Sequence, residues 1–183
     1  LGGGHSYYKD DAISYAISKG AVVVVSAGND GRSIGTYCPA HITDCITVSA
    51  IDEDESLAWY SNYGSVVDVT APGSNILSCG TSGYNSYVYM SGTSMAAPHV
   101  TAIAAMYRLY YPTAGPMKIQ ELVKRYCKDI GSSGKDNYYG YGLPKMSKAM
   151  TTKVTVGKTS LGTATAIGTS QVRLTWQKVS GAA

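Results

Sequence analysis

Hydrophobic and polar positions follow two periods along the chain, one helical and one extended. After Ser6, the stretch "YYKDDAISYAISKG" puts Ala12, Ile13, Ala16 and Ile17 on one face of a helix, with Ser6 as N-cap, acids in the first turn and Gly20 as the stop. "AVVVV" (21–25) follows at once. A continuous β-branched run after an amphipathic helix predicts a strand buried on both faces of a parallel sheet. Further strands are predicted at "CITVSAI" (45–51) and "SVVDVTAPG" (65–73), and "NILSCGTSGYNSYVYMSG" predicts a hairpin around Gly83. In "MAAPHVTAIAAMYRLYY", Ala97, Val100, Ile103, Ala104 and Tyr107 recur at helical spacing, and Pro98 is tolerable because it falls in the first turn. The small side chains predict a helix packed closely on its neighbours. Helices over 116–129 and 145–150 complete an α/β pattern, a parallel sheet flanked by helices.

Beyond Met150 the texture turns to Thr, Val, Gly and Ser. In "QVRLTWQKV", Val172, Leu174 and Trp176 alternate with Arg173, Thr175 and Gln177, as in a half-buried strand. Two segments are therefore expected: an α/β part over 1–150 and the start of an all-β module over 151–183, too short to close a sandwich by itself. The chain opens at Leu1 without an initiator Met and reads as a piece of a longer protein.

Charge and cysteine usage narrow the function classes. The net charge is +3 and the Lys and Arg residues are scattered, which argues against a nucleic-acid footprint. No apolar run nears the roughly 18 residues of a membrane span. Four cysteines (Cys38, Cys45, Cys79, Cys127) form no CxxC pair, which argues against a zinc knuckle or a thioredoxin-type site. They leave open two disulfides, in any of three connectivities, or buried thiols.

The candidate chemistry lies in "YMSGTSMAAPHV" (89–100), where Ser94 stands at the entry to a predicted helix. A serine hydroxyl attacks a carbonyl only if a base takes its proton and donors stabilise the oxyanion. A helix N-terminus aims free N–H groups at such a charge. Spacing alone fits a structural N-cap serine as well. Several further segments decide between the two readings. "SGTSMAAPHV" closely resembles the nucleophile segment of the subtilisin-like (subtilase) serine proteases, and so, in order, do "LGGG" (1–4), "VVVVSAGND" (22–30), "YCPA" (37–40), "SNYGSVVDVTAPG" (61–73) and "YGYGL" (139–143). The loop spellings look most like the proteinase K branch and related bacterial subtilases.

The resemblance implies roles at the matching positions. Ser94 would be the nucleophile, Asn29 the side-chain oxyanion donor, and Thr93 a weaker aid to the hole. Leu1, Gly2 and Gly3 match one wall of the peptide cleft, Ser26, Ala27 and Gly28 the opposite wall, and Gly35 and Tyr37 fall near the pocket floor. A structural calcium ion is implied at Asp68 with carbonyls near Ile42 and Asp44, and Pro39 matches a cis proline. Cys45 matches a disulfide cysteine of the proteinase K branch, a partner for which is not evident here. The tail resembles the opening strands of fibronectin type III modules. Partners would be protein or peptide substrates, the protein a monomer, and its location secreted or cell-surface.

One departure bears on activity. In subtilases the triad runs Asp, His, Ser, with the His about 150 residues before the Ser; here Ser94 is preceded by 93 residues and by no "HGTH" or "DTG" motif. The Asp and His are expected in a preceding part, and this chain alone is expected to be inactive. His5, His41 and His99 read as loop or packing histidines. Two other classes stay open: a catalytically dead subtilase-fold binding protein or adhesin, and an unrelated serine hydrolase, which would want Gly-x-Ser-x-Gly where this chain has Ala96.

Overall fold

The computed structural model describes residues 2–146, 161–166 and 172–176. The chain divides into two compact units, Leu1–Ser147 and Lys148–Ala183. In the first, helix α1 (Tyr7–Ser18) leads to strand β1 (Val24–Ser26), then β2 (Ile46–Ile51) and β3 (Val69–Pro72). A hairpin of β4 (Ile76–Cys79) and β5 (Tyr87–Met90) precedes helices α2 (Thr93–Tyr110) and α3 (Pro116–Arg125), and the two-residue strands β6 (Cys127–Lys128) and β7 (Leu143–Pro144) close the unit. In the second unit, β8 (Leu161–Ala166) and β9 (Val172–Trp176) pair antiparallel.

The expected parallel sheet is present in the order β1-β2-β3, with Val24 beside Ile46 and Val48 beside Val69. β2 is the middle strand and all six of its residues are buried, as an uninterrupted apolar run between two partners requires. β1 is an edge strand, so "AVVVV" is less enclosed than its sequence predicts: Val25 is buried, but Val22, Val23 and Val24 are only half-buried.

Helix α2 lies across all three strands. Its inward face is Thr93, Ala96, Val100, Ala104 and Tyr107, and the alanines let the helix axis approach the sheet. Burying Val100 of α2 and Val48 of β2 contributes roughly 1.5–3 kcal/mol each. Pro98 sits in the second turn, where its missing N–H takes away one helical bond at most. The Arg108 guanidinium donates to the Gly20 and Ala114 carbonyls, tying α2 to the end of α1.

Three expectations shift. The α1 face of Ile13, Ala16 and Ile17 is only half-buried and Ala12 is exposed. Ser6 caps α1 through its backbone carbonyl, which accepts the Lys9 and Asp10 N–H groups, and not through its hydroxyl. α3 ends at Arg125, four residues short of the predicted stop, because Cys127 and Lys128 leave the helix to pair with Pro144 and Leu143. That pairing also makes residues 143–144 extended, and most of the helix expected over 145–150 lies outside the described residues.

Candidate active site

Two chain segments meet at the C-terminal end of the parallel sheet. One is the loop leaving β1, Ala27 through Asp30; the other is the start of α2. Gly92 is the N-cap of α2, at φ 154 and ψ 159, a backbone region open essentially to glycine. Its carbonyl accepts the Met95 and Ala96 N–H groups and so begins the helix, which leaves Ser94 as an exposed second helical residue. Among the described residues the Ser94 N–H has no acceptor, as expected for a helix's first turn.

Thr93 and Asn29 form the link between the segments. The Thr93 N–H donates to Asn29 Oδ1 at 2.8 Å and the Thr93 hydroxyl donates to the same oxygen at 2.7 Å. The Thr93 hydroxyl oxygen in turn accepts the Gly28 N–H at 3.1 Å. Because a backbone N–H can only donate, the Asn29 atom facing it must be the oxygen, so the Asn29 amide nitrogen points away from Thr93. That nitrogen lies near Gly92, 3.1 Å from where a Gly92 Cβ would stand. Thr93 is fully buried and its hydroxyl hydrogen is committed, so it orients Asn29 instead of reaching into the site.

Of the residues expected to form the cleft walls, Gly2, Ala27 and Gly28 meet around Tyr37, and Leu1 lies outside the described residues. Gly3 and Cys38 exchange both backbone bonds at 3.0 Å. A Cβ on Gly2 would lie 2.4 Å from Tyr37 Cε1, and one on Gly28 would lie 3.0 Å from the same atom. Tyr37 thus stands between Gly2 and Gly28. Ser26 ends β1 and Ala27 packs with Ile34, Ala40 and Val67 in a small apolar cluster beneath the loops, with Tyr37 against it. Gly35 lies in the exposed turn that leads to Tyr37, with open space around it.

Asn62, to which sequence reasoning gave no role, fixes the β1 loop. Fully buried, it accepts the Asp30 and Arg32 N–H groups at 3.0 and 3.2 Å and donates to the Ala27 carbonyl at 3.1 Å. Its signal was the "SNYG" match, which marks the position without naming its partners. Gly28, at φ +103, leaves room for it: a Cβ there would sit 2.4 Å from Asn62 Nδ2. Gly28→Ala is expected to destabilise the fold by about 3 kcal/mol through strain and displacement of Asn62. Urea unfolding measures this, and a loss below about 0.5 kcal/mol would contradict the packing described.

No general base is supplied to Ser94 among the described residues. His99 faces its own helix, with Nδ1 2.9 Å from the Met95 carbonyl. His5 and His41 both turn to Asp10. All four cysteines are free thiols. Burial, with Asp44 nearby, pushes the Cys45 thiol up to about 12, and burial, with Asp129 nearby, does the same to Cys127; such thiols are poor nucleophiles at neutral pH. Cys38–Pro39 is cis, as the resemblance implied.

The implied calcium set is partly engaged by the protein's own groups. Calcium takes six to eight oxygen ligands; the Ile42 carbonyl accepts the Cys45 N–H and keeps a second lone pair, while the neighbouring Thr43 and Cys45 carbonyls accept the Gln120 amide at 3.2 and 2.9 Å. Asp68 Oδ2 accepts the Thr47 N–H at 3.0 Å, and Oδ1 lies 3.4 Å from the Lys124 ammonium, a cation already in place. Asp44 is exposed. Burial raises the Asp68 carboxyl above its ordinary range, outweighing the Thr47 bond and Lys124, which act to lower it. A raised carboxyl favours the fold most when protonated. Its contribution is full below the unfolded value, near 3.8, and is lost as pH rises through the folded one. Relative to Asp68→Asn, which keeps an acceptor for Thr47, the unsubstituted protein should therefore lose stability with rising pH across that window. Urea melts from pH 3 to 7 read the difference, and a pH-independent gap would contradict the burial argument.

Comparison with known proteins gives the family and the fold. The subtilase family (peptidase S8) matches residues 1–142. An extracellular serine proteinase of Thermus sp. (strain Rt41A) is 44% identical over 126 residues, covering 69% of this chain and 31% of its own length. A thermophilic serine proteinase of Bacillus sp. (strain AK1) is 42% identical over 147 residues, covering 80% and 35%. Among solved structures, a cold-adapted subtilisin-like serine proteinase superposes with a TM-score of 0.74 at 32% identity, over 81% of this chain and 54% of that one. The chain belongs to the subtilase family and has its subtilisin-like α/β fold. It spans about a third of the length of the two curated relatives.

Proposed function

We propose that this chain is the nucleophile-bearing part of a serine endopeptidase. The observation that carries the proposal is the Asn29 carboxamide, whose oxygen is held by Thr93 so that its nitrogen, without a hydrogen-bond partner among the described residues, lies near Gly92, two positions before Ser94 at the start of α2. A peptide lies between the wall of Gly2 and Gly3 and the wall of Ser26, Ala27 and Gly28, held by backbone pairing that tolerates many sequences. Ser94 Oγ attacks the scissile carbonyl carbon while a histidine takes its proton. The carbonyl oxygen becomes an oxyanion that receives hydrogen bonds from Asn29 Nδ2 and the Ser94 N–H. Collapse of the adduct breaks the C–N bond, the histidine protonates the leaving amine, and water then hydrolyses the acyl-Ser94 ester by the same steps.

The histidine and its aspartate come from a part of the protein outside this chain, which by itself is inactive. Support comes from the engagement of His5, His41 and His99 elsewhere and from the third of the relatives' length that the chain spans. Secretion is supported by the extracellular serine proteinase of Thermus sp. among the relatives. Residues after 150 are the start of an accessory β-module.

A fluorophosphonate probe applied to the intact protein tests the reading. It should leave one adduct, found by peptide mass spectrometry on Ser94. An intact protein that is folded yet unlabelled would favour the binding-protein alternative.

A further inference from the structure

We propose that His5, Asp10 and His41 form a binding site for a zinc-class transition-metal ion, outside the Ser94 site. The three side chains come from separate places: His5 from the segment before α1, Asp10 from the first turns of α1, and His41 from just beyond the cis-prolyl turn. The Gly3 to Cys38 backbone bridge brings these segments together. One ligand atom from each lies within 4.8 Å of the others.

The spacing favours a metal over a simple ion pair. His5 Nε2 and His41 Nε2 stand 3.1 and 3.4 Å from the same oxygen, Asp10 Oδ2. Charge-assisted N–H···O bonds prefer about 2.7–2.9 Å. Ligands held about 2.0–2.1 Å from a tetrahedral ion are separated by about 3.3 Å, midway between the two observed distances. Two imidazoles and one carboxylate suit zinc and its neighbours, not calcium, which takes oxygen.

The surroundings orient each ligand as a metal site requires. His41 Nδ1 faces the Tyr37 carbonyl at 3.4 Å, so a proton placed there leaves Nε2 with its lone pair toward Asp10. The buried Cys38 thiol donates to Asp10 Oδ1 at 3.4 Å, leaving Oδ2 for the ion. His5 is 37% exposed against 24% for Asp10 and 21% for His41, so the cluster opens to water on one side, where a fourth ligand enters. A bound ion would fasten the segment at 2–5 to the loop at 37–41, the two segments that carry Gly2 and Tyr37.

The test uses the intact protein, freed of transition metals with 1,10-phenanthroline and titrated with Co2+ as a coloured stand-in for zinc. One equivalent should give the visible bands of tetrahedral Co2+, and Zn2+ should bleach them. His5→Ala and His41→Ala should each weaken Co2+ binding at least about 10-fold, whereas His99→Ala should leave it unchanged. Zn2+ at a hundredfold excess over its Kd should raise the Tm by about 5 °C. If His41→Ala does not fold, His5→Gln on the more exposed ligand gives the same reading. Absence of Co2+ binding at millimolar concentration, or tetrahedral bands that survive in the His5 variants, overturns the site.

Discussion

Ser94→Ala in the intact protein should lower kcat by about 10⁶, the scale known from removing the nucleophile of subtilisin itself, while leaving KM nearly unchanged. Two features make this a clean experiment. Ser94 is exposed, and its hydroxyl makes no hydrogen bond among the described residues, so nothing in the fold depends on it. Alanine is also the better helix former at that position. The Tm of the variant should therefore stay within about 2 °C, small-surface changes being nearly neutral. Peptide hydrolysis by active-site-titrated protein measures the rate, and turnover within tenfold of the unsubstituted protein would remove Ser94 from the chemistry.

Asn29→Ala should lower kcat by about 10² to 10³, the range for losing one oxyanion donor. KM should hardly move, because the Asn29 nitrogen meets its acceptor only as the oxyanion forms. This substitution, unlike the first, also reaches the fold. The Thr93 N–H and hydroxyl both lose the Asn29 oxygen, and Thr93 is buried, so a stability loss of about 1–2 kcal/mol should accompany the rate effect. Measuring kcat well below the melting range separates the two. A kcat within threefold of the unsubstituted value would mean that the Ser94 N–H and the helix terminus suffice.

What the sequence made legible depended on whether a residue's role was local. β2 was readable because a central parallel strand needs an unbroken apolar run, and α2 because small residues at helical spacing leave few other structures. Ser94 and Asn29 were reached through motifs that span a few residues each. The less legible parts mostly turn on partners far along the chain. α3 ends early because Pro144 and Leu143 capture Cys127 and Lys128. Lys124 stands beside Asp68 across 56 positions, which no reading of "VVDV" could reveal. Thr93 is tied to Gly28 and Asn29 through its hydroxyl, a link that its own segment does not announce. His5, Asp10 and His41 have no metal-motif spacing and meet only through the Gly3 to Cys38 bridge.

The bonds from Thr93 to Gly28 and Asn29 join residues 65 and 64 positions apart. Contacts of such separation form only after the chain has closed a long loop, whose entropy opposes them until the helix has docked on the sheet. Until then Asn29 has nothing to turn it and the first turn of α2 has nothing to face. A polypeptide halted short of that docking leaves Asn29 unoriented, so the link between the β1 loop and the start of α2 is set only as folding completes.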